Sequence, residues 1–268
     1  MGCRGMVSAS LSERERVLWS RYTWCELKSL IPELAAVIIP TGSIEQHGPH
    51  LPLDTDAYIA EELAIRVAME CWKKGLKVLV VPTVVIGCSS HFLPYPGTLT
   101  LSFDTFMKLL EEVCTSVIHH GVKRILLLNA HGGNTECLHL VARKLRERFD
   151  VVIAVVNWWD LARDIIEEVC ESPMYHACEV ETSLALALSQ RVIMELARGE
   201  LKKPKSRFES TDLTKPGMVY VYRGRGRKEL STGAVGLPEK ATYDKGSKIL
   251  STLVTRLVEV IEDLVKLG

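Results

Sequence analysis

The 268-residue sequence has no excess of charge of either sign, because 33 Lys and Arg residues are balanced by 33 Asp and Glu residues. Proteins that bind nucleic acids or anionic membranes usually carry an excess of Lys and Arg, so this balance argues against both kinds of partner. No apolar run reaches the roughly 18 residues that a membrane-spanning helix needs. The first 16 residues also lack the apolar stretch of a secretory signal. We therefore expect a cytoplasmic protein with neither a nucleic acid nor a membrane as its partner.

Paired cysteine motifs are also missing. The eight cysteines form no C-x-x-C pair and stand mostly inside apolar segments, which predicts buried, reduced thiols. The composition is that of an ordinary globular protein, since 47% of the residues are hydrophobic and 25% are charged. A chain of this length can bury a sufficient core, and no Pro/Ser/Gly-rich linker divides it. Residues 1–268 are therefore expected to form a single domain.

Short β-branched runs alternate with amphipathic stretches along the chain. Each run is apolar enough for a strand that is buried on both faces. The runs cover residues 36–40, 77–86, 124–129 and 151–158. The helical patterns cover residues 57–72, 103–120, 135–149, 180–198 and 244–267. This alternation predicts an α/β fold with a parallel sheet and helices on both of its faces, while residues 218–222 and 233–236 are candidates for two further strands.

The densest set of metal-ligand side chains follows the first run, within residues 41–56. In parallel α/β sheets, ligands bind outside the carboxyl ends of the strands. Five side chains of this kind lie there: Glu45, His47, His50, Asp54 and Asp56. Glu45 and His47 are two residues apart and project to the same side of an extended chain. Imidazole with carboxylate is typical of zinc, manganese or iron sites, and the alternative is a solvated loop with helix-capping acids.

Three further clusters follow later elements. His131 follows the third run and precedes a glycine pair and Asn134, a sequence that also fits a phosphate-binding loop. His91 follows the second run, where a structural hydrogen bond and a catalytic role are equal alternatives. The last cluster opens a helix and contains one histidine and two acids: His176, Glu179 and Glu181. The acids either complement the positive helix N-terminus or supply a metal ligand and a proton donor.

With these residues in view, the chain resembles the creatininase family of metal-dependent amidohydrolases. The resemblance rests on five segments in the family's order: residues 42–56, 96–98, 129–134, 176–183 and 236–242. It implies a three-layer α/β/α sandwich with a mainly parallel central sheet. It also implies two divalent metal ions at the carboxyl edge of this sheet, with zinc as the first expectation and iron or manganese as the alternative at one site.

The resemblance implies a division of the metal ligands between the two ions. Glu45 and His131 would bind one ion, His47 would bind the other, and Asp56 would bridge them. Glu181 would complete the second site. Two such ions activate a water molecule for attack on an amide carbonyl, so this resemblance implies an amidohydrolase that cleaves a C–N bond.

Catalytic residues and assembly are implied in the same way. His176 matches a histidine that is placed to transfer protons, and imidazole is suited to that step near neutral pH. Glu181 and His91 complete the predicted catalytic set. The expected substrate is a small-molecule amide. Because family members are commonly homohexamers, a homo-oligomer is expected here as well.

The chain departs from creatininases proper next to His131. Those enzymes have Tyr and then a metal-binding Glu at the two positions that follow, whereas this chain has Gly132 and Gly133. The Gly-Gly form resembles the archaeal formamidopyrimidine deformylases and the peptidase that trims the mycofactocin precursor. We therefore expect an open pocket wall beside His131 and a non-peptide substrate larger than creatinine. A formylated pyrimidine nucleotide is the first candidate for this substrate. Creatininase proper and a mycofactocin-type peptidase are the alternatives.

Two features keep other functions open. The phosphate of a nucleotide substrate would lie near the basic residues 202–207 or 223–228, which are otherwise solvated surface. Cys178 stands where the family usually has Gly, and it either packs beside the site or reaches a metal. The alternatives to an enzyme are a nucleotide-binding α/β module that uses residues 132–134 for phosphate, and a metal-stabilised structural protein.

Overall fold

The computed structural model describes residues 11–215, 217, 219 and 232–267. Four strands form one sheet: β1 (Ala36–Thr41), β2 (Val78–Val80), β3 (Arg124–Asn129) and β4 (Val152–Asn157). Their order is β2-β1-β3-β4, and each neighbouring pair is parallel. The predicted parallel α/β sheet is therefore confirmed.

Helices cover both faces of this sheet. The longer helices are α3 (Thr55–Lys73), α4 (Phe103–His119), α5 (Thr135–Arg148), α7 (Glu179–Ala187) and α8 (Tyr243–Leu267). Three shorter helices are α1 (Glu13–Arg16), α2 (Trp24–Leu30) and α6 (Arg163–Val169). The apolar sides of α3, α7 and α8 form one core with the sheet, and those of α4 and α5 form the other. This is the three-layer α/β/α sandwich that the resemblance implies.

The central strands are buried because their side chains alternate between the two cores. Ile38 and Leu126 belong to the core with α3, whereas Ile39 and Leu127 belong to the core with α4. Each of these residues is fully buried. A strand with both faces covered has no polar side, which explains why the sequence shows continuous apolar runs rather than alternation.

Two elements are shorter than the sequence predicts. β2 ends at Val80, because Pro82 has no N–H group to continue the ladder. The helix expected at residues 180–198 ends at Ala187, and Ser189 then adopts a left-handed backbone with φ of 62°. In the segment 233–236, Val235 forms only isolated bridges, to His176 and Glu200. Apart from Val219, which lies in a bend, the candidate strand at 218–222 falls outside the described residues.

The cysteines largely follow expectation. Six are free thiols: Cys71, Cys88, Cys114, Cys137, Cys170 and Cys178. Cys25 differs, since it is disulfide-bonded. No helix in the described part of the chain combines the length and apolarity that a bilayer crossing requires.

Candidate active site

Six of the predicted site residues form one cluster at the carboxyl edge of the sheet: Glu45, His47, Asp56, His131, His176 and Glu181. Each of these side chains is buried, and none of the residues is more than 6% exposed. They come from the loop after β1, the first turn of α3, the loop after β3, the segment that leads into α7, and the first turn of α7. The parallel topology brings these segments to one edge because it aligns the carboxyl ends of β1 and β3.

Asp56 lies at the centre of the cluster. Its Oδ1 is 3.0 Å from His47 Nε2, and its Oδ2 is 3.0 Å from His131 Nδ1. His131 Nδ1 also lies 3.3 Å from Glu45 Oε1. Among the described residues, Glu45 Oε2 has no hydrogen-bond donor. Buried carboxylate oxygens without a donor are costly, so this arrangement calls for a cation between the two acids.

Each of the two histidines directs one ring nitrogen towards Asp56 and its other nitrogen towards a backbone carbonyl. His47 Nδ1 lies 3.1 Å from the Glu45 carbonyl oxygen. His131 Nε2 lies 3.3 Å from the Cys88 carbonyl oxygen and 3.2 Å from Ser89 Oγ. Metal-binding histidines usually donate their second N–H in this way, which fixes the tautomer and the orientation of the ring.

The electrostatics of the cluster also call for a cation. Burial alone would lower the pKa of His47, but the adjacent Asp56 carboxylate outweighs it and raises the pKa to about 10. The pKa of His131 is raised in the same way, chiefly by Glu45. Conversely, the imidazolium groups hold the pKa of Glu45 below its usual range despite burial. In the metal-free cluster Glu45 and Asp56 are therefore ionised, and the raised pKa values of His47 and His131 favour protons on these rings as the compensating charge.

His176 differs from the other two histidines because it is neutral. Burial and the neighbouring charge of His47 lower its pKa to about 3. Its Nδ1 lies 3.6 Å from Glu45 Oε1, and its Nε2 lies 2.8 Å from the Gln46 carbonyl oxygen. The next residue, Ala177, has a left-handed backbone with φ of 48°, a strained conformation that is common at functional sites.

Glu181 faces the cluster from the first turn of α7. Burial raises the pKa of its carboxyl group to about 7. Its Oε2 accepts a hydrogen bond from the backbone N–H of Cys178 at 3.3 Å, while the Cys178 side chain caps the same helix. Cys178 is fully buried and packs against Gly236. Of the two alternatives for Cys178, the structure therefore shows packing.

Three groups of side chains have donor atoms close enough to hold a metal ion. They are Glu45 with His91 and His131, His47 with Asp56 and Glu181, and Glu45 with His47 and His176. In each group the donor atoms lie within 4.8 Å of one another. Imidazole nitrogen and carboxylate oxygen are the donors that zinc and manganese accept. The donor set therefore fits two divalent ions.

His91 is the exposed member of these groups. It lies in a short 3₁₀ turn after β2, and its ring is nearly parallel to that of His131, with 5.9 Å between the ring centroids and 8° between the planes. His91 is accessible to solvent, whereas His131 is buried. It therefore lies between the buried cluster and bulk water.

Three acidic or histidine side chains of the predicted clusters lie apart from this centre. His50 Nε2 pairs with Thr182 Oγ1 at 2.9 Å, and Asp54 Oδ1 accepts a hydrogen bond from Gln190 Nε2 at 3.1 Å. Glu179 accepts two backbone N–H groups of the preceding loop at 2.9 Å each. These contacts join the loop after β1, the start of α3 and the loop before α7 to α7 or to the residues that follow it, so their role is structural.

The glycine pair after His131 is not open at both positions. A Cβ atom at Gly133 would lie 2.5 Å from His131 Nε2, and closer still to the Cys88 carbonyl oxygen. A Cβ atom at Gly132 would have no neighbour within 4 Å. The expected opening of the pocket wall therefore lies at Gly132, and Gly133 is required by the position of the His131 ring.

Two residues at the site were not singled out from the sequence. Gln46 contacts His176 and donates its side-chain N–H to the Gly233 carbonyl oxygen at 2.8 Å, which joins the loop after β1 to the segment at 232–237. Ser89 contacts His131 and Ser43 in the same buried region. Each neighbours a singled-out residue or motif in the sequence, and that adjacency was the available signal.

Comparison with known proteins agrees with this geometry. The family model described as creatininase, creatinine amidohydrolase, matches residues 20–261. The mycofactocin precursor peptide peptidase of Mycobacterium ulcerans is 30% identical over 84% of this chain and 84% of its own length. The 2-amino-5-formylamino-6-ribosylaminopyrimidin-4(3H)-one 5'-monophosphate deformylase of Methanococcus maripaludis is 29% identical over 85% of this chain and 91% of its own length.

Solved structures show the same fold. A Bacteroides fragilis protein described as a creatinine amidohydrolase superposes with a TM-score of 0.78 at 25% identity, covering 94% of this chain and 97% of its own. Creatininase structures in a Zn-Zn form and a Mn form each superpose with a TM-score of 0.72 at 23% identity over 92% of this chain. They cover 97% and 98% of their own chains, respectively. Because the family model matches nearly the whole sequence, this chain belongs to the creatininase family of metal-dependent amidohydrolases.

Proposed function

We propose that this chain hydrolyses a non-peptide C–N bond with two divalent metal ions, and that a formamide group on a nucleotide-like molecule is its leading substrate. The observation that carries the proposal is the position of Asp56 between His47 and His131, with one carboxylate oxygen directed to each. A carboxylate in this position can bridge two cations. Phosphate-binding loops and closed structural metal sites do not require a carboxylate between two imidazoles.

The metal ligands follow from the donor groups. Glu45 and His131 would hold one ion, His47 and Glu181 would hold the other, and Asp56 would contact both. When bound, the ions lower the pKa of a water molecule and polarise the substrate carbonyl oxygen. Zinc is the first choice for these nitrogen and oxygen donors, and manganese or iron fits the same set.

Proton transfer is assigned to the histidines. His176 is buried beside Glu45, and we assign to it the transfer of a proton from the attacking water to the leaving nitrogen. Glu45, whose Oε1 is 3.6 Å from His176 Nδ1, stabilises the imidazolium that forms. His91 is exposed and stacks on His131, which places it to exchange protons with solvent. Glu181 contributes its carboxylate opposite His47.

The substrate class follows from the space around the cluster. The pocket wall is open at Gly132, where the creatininases proper have a tyrosine. Lys202 lies 5.1 Å from the ring centroid of Tyr175, the residue before His176. We propose that this cation of the basic segment 202–207 faces a substrate phosphate. Residues 223–228 lie outside the described part of the chain.

The second candidate is a peptidase of the mycofactocin-maturation type, and the relatives at 30% identity support it. Creatininase proper is the third, and the tyrosine and glutamate that it would require are absent here. In each case we propose that residues 1–268 act as one cytoplasmic domain within a homo-oligomer. A hexamer is the first expectation for its oligomeric state.

A direct assay separates these substrates. The metal-loaded protein should release formate from a formamidopyrimidine nucleotide, and the corresponding nucleoside without phosphate should react more slowly. Creatinine and short peptides are assayed in parallel, and Asp56→Asn is the matched inactive control. Efficient turnover of creatinine, or of peptides alone, would overturn the assignment. A parent protein that binds no divalent metal would overturn the whole mechanism.

A further inference from the structure

The site residues lie in loops that follow three neighbouring strands, and these loops are not joined directly to one another. The loop after β1 carries Glu45 and His47, the loop after β2 carries His91, and the loop after β3 carries His131. Parallel strands are joined only through long crossovers, so these loops need lateral contacts to keep their relative positions.

The side chain of Asn134 makes such contacts to all three loops. Its Nδ2 donates to the Gly42 carbonyl oxygen at 3.0 Å, and its Oδ1 accepts the backbone N–H of Cys88 at 3.0 Å. Its Nδ2 also lies 3.5 Å from Oδ1 of Asn129, which is the last residue of β3. Asn134 is fully buried. One amide therefore connects the loops after β1, β2 and β3.

We propose that Asn134 is a positioning residue for the metal centre and acts through Cys88. The N–H of Cys88 is held by Asn134, and the carbonyl oxygen of Cys88 lies 3.3 Å from His131 Nε2. His131 directs its other nitrogen towards Glu45 and Asp56. Asn134 thus sets the orientation of a predicted metal ligand without touching the cluster. This inference rests on the proposed metal-dependent function.

Asparagine suits this position because its side chain has a donor and an acceptor at a fixed separation. The Gly42 carbonyl can only accept and the Cys88 N–H can only donate, so the amide has a single productive orientation. Aspartate would place an oxygen against the Gly42 carbonyl, and glutamine is one methylene longer. The chain also makes room for the amide, since a Cβ atom at Gly87 would lie 2.6 Å from Asn134 Oδ1.

The same contacts leave the Asn134 side chain unavailable to a phosphate. A phosphate would need donors that are directed into a cavity. The Asn134 amide is instead engaged with backbone groups of two other loops and is closed off from solvent. This part of the motif serves the geometry of the site, and ligand binding does not require it.

The first test uses the metal-free protein. Amide hydrogen exchange at Cys88 should be at least about tenfold faster in Asn134→Asp and Asn134→Ala than in the parent protein, while core amides of β3 keep their protection. Leu138→Ala is the matched control, because Leu138 is a buried residue of α5, the helix that begins directly after Asn134, and its side chain forms no hydrogen bond to the loops. Unchanged exchange at Cys88 would overturn the proposal whether or not the protein binds metal.

The second test uses the cobalt(II)-loaded protein. Both Asn134 variants should bind the metal about 10- to 100-fold more weakly and show an altered d–d absorption spectrum, the usual effect of losing a partner behind a ligand. Leu138→Ala should lower Tm and leave the spectrum unchanged. A parent-like spectrum and affinity in folded Asn134 variants would overturn the positioning role. If neither variant folds, Asn134 serves the fold as a whole and the inference is wrong.

Discussion

The Nε2 atom of His47 lies 3.0 Å from Oδ1 of Asp56, and the other oxygen of this carboxylate faces a different imidazole. A single acid thus faces two ligand sets that come from different parts of the chain. Its two oxygens have different environments, because His47 belongs to the loop after β1 and His131 to the loop after β3. The position of this one carboxylate determines whether the cluster can act as a two-ion centre.

Asp56→Asn should therefore lose metal at both sites. The neutral amide keeps the size of the side chain, but it bridges two cations poorly. Elemental analysis of the purified variant measures the result directly, with the parent protein prepared in parallel. About two ions per chain in the variant would contradict the bridging role.

His176→Gln should keep its metals and lose activity. Removal of a positioned acid or base usually lowers turnover by about 10²- to 10⁴-fold. The measurement is kcat on the substrate found in the formate-release panel, together with metal content. Loss of one ion along with activity would show that His176 is a ligand and that the assigned division of roles is wrong.

The glycine pair gives a matched comparison. Gly133→Ala should destabilise the protein by about 1–3 kcal/mol, the usual cost of overpacking, and should weaken metal binding because the new methyl group displaces the His131 ring. Gly132→Ala should leave both properties close to those of the parent protein, since its methyl group meets open space. Denaturant unfolding and metal titration measure the two effects. Equal effects at both positions would contradict this geometry.

Metal binding at pH 8 should release protons. The folded-state pKa of His47 is raised to about 10, so this ring is protonated in the metal-free protein at this pH, and the pKa of His131 is raised as well. Ligation requires the neutral ring, so at least about one proton per chain should leave as the ions bind. Calorimetry in buffers of different ionisation enthalpy counts them.

The sign of the corresponding stability effect follows from the same shifts. A raised histidine pKa stabilises the metal-free fold below the unfolded value near 6.5, and this contribution is lost as the pH rises through the folded value of about 10. Metal affinity should change in the opposite direction and increase with pH. Binding without proton release would show that the rings are neutral before the metal arrives.

The fold could be predicted further than the site. Continuous apolar runs such as residues 124–129 indicate strands buried on both faces, and helical patterns between them indicate a parallel sheet. The order of the strands in the sheet could not be predicted from the sequence, because an apolar run does not indicate which other strand lies beside it. The length of β2 was overestimated because the apolar pattern continues beyond Pro82, where the ladder stops.

The site could be predicted in part. Spacing alone identified Glu45 and His47 as neighbours, because two residues in an extended segment share a side. Nothing in the spacing places Glu181 beside His47, and only the resemblance to a known family did so. The difference between Gly132 and Gly133 depends on the orientation of the His131 ring, which a sequence does not contain.

Gln46 and His176 touch although they are 130 residues apart in the chain. A growing polypeptide has made β1, α3 and β3 before it has made α7, so the ligands Glu45, Asp56 and His131 exist before Glu181 does. Under the proposed assignment of ligands, the two metal sites are therefore completed at different times during synthesis. The first ion can be captured by a nascent chain, whereas the second must wait for α7 to dock against the sheet, and slow non-local contacts of this kind form late. Double occupancy would then mark a molecule that has finished folding.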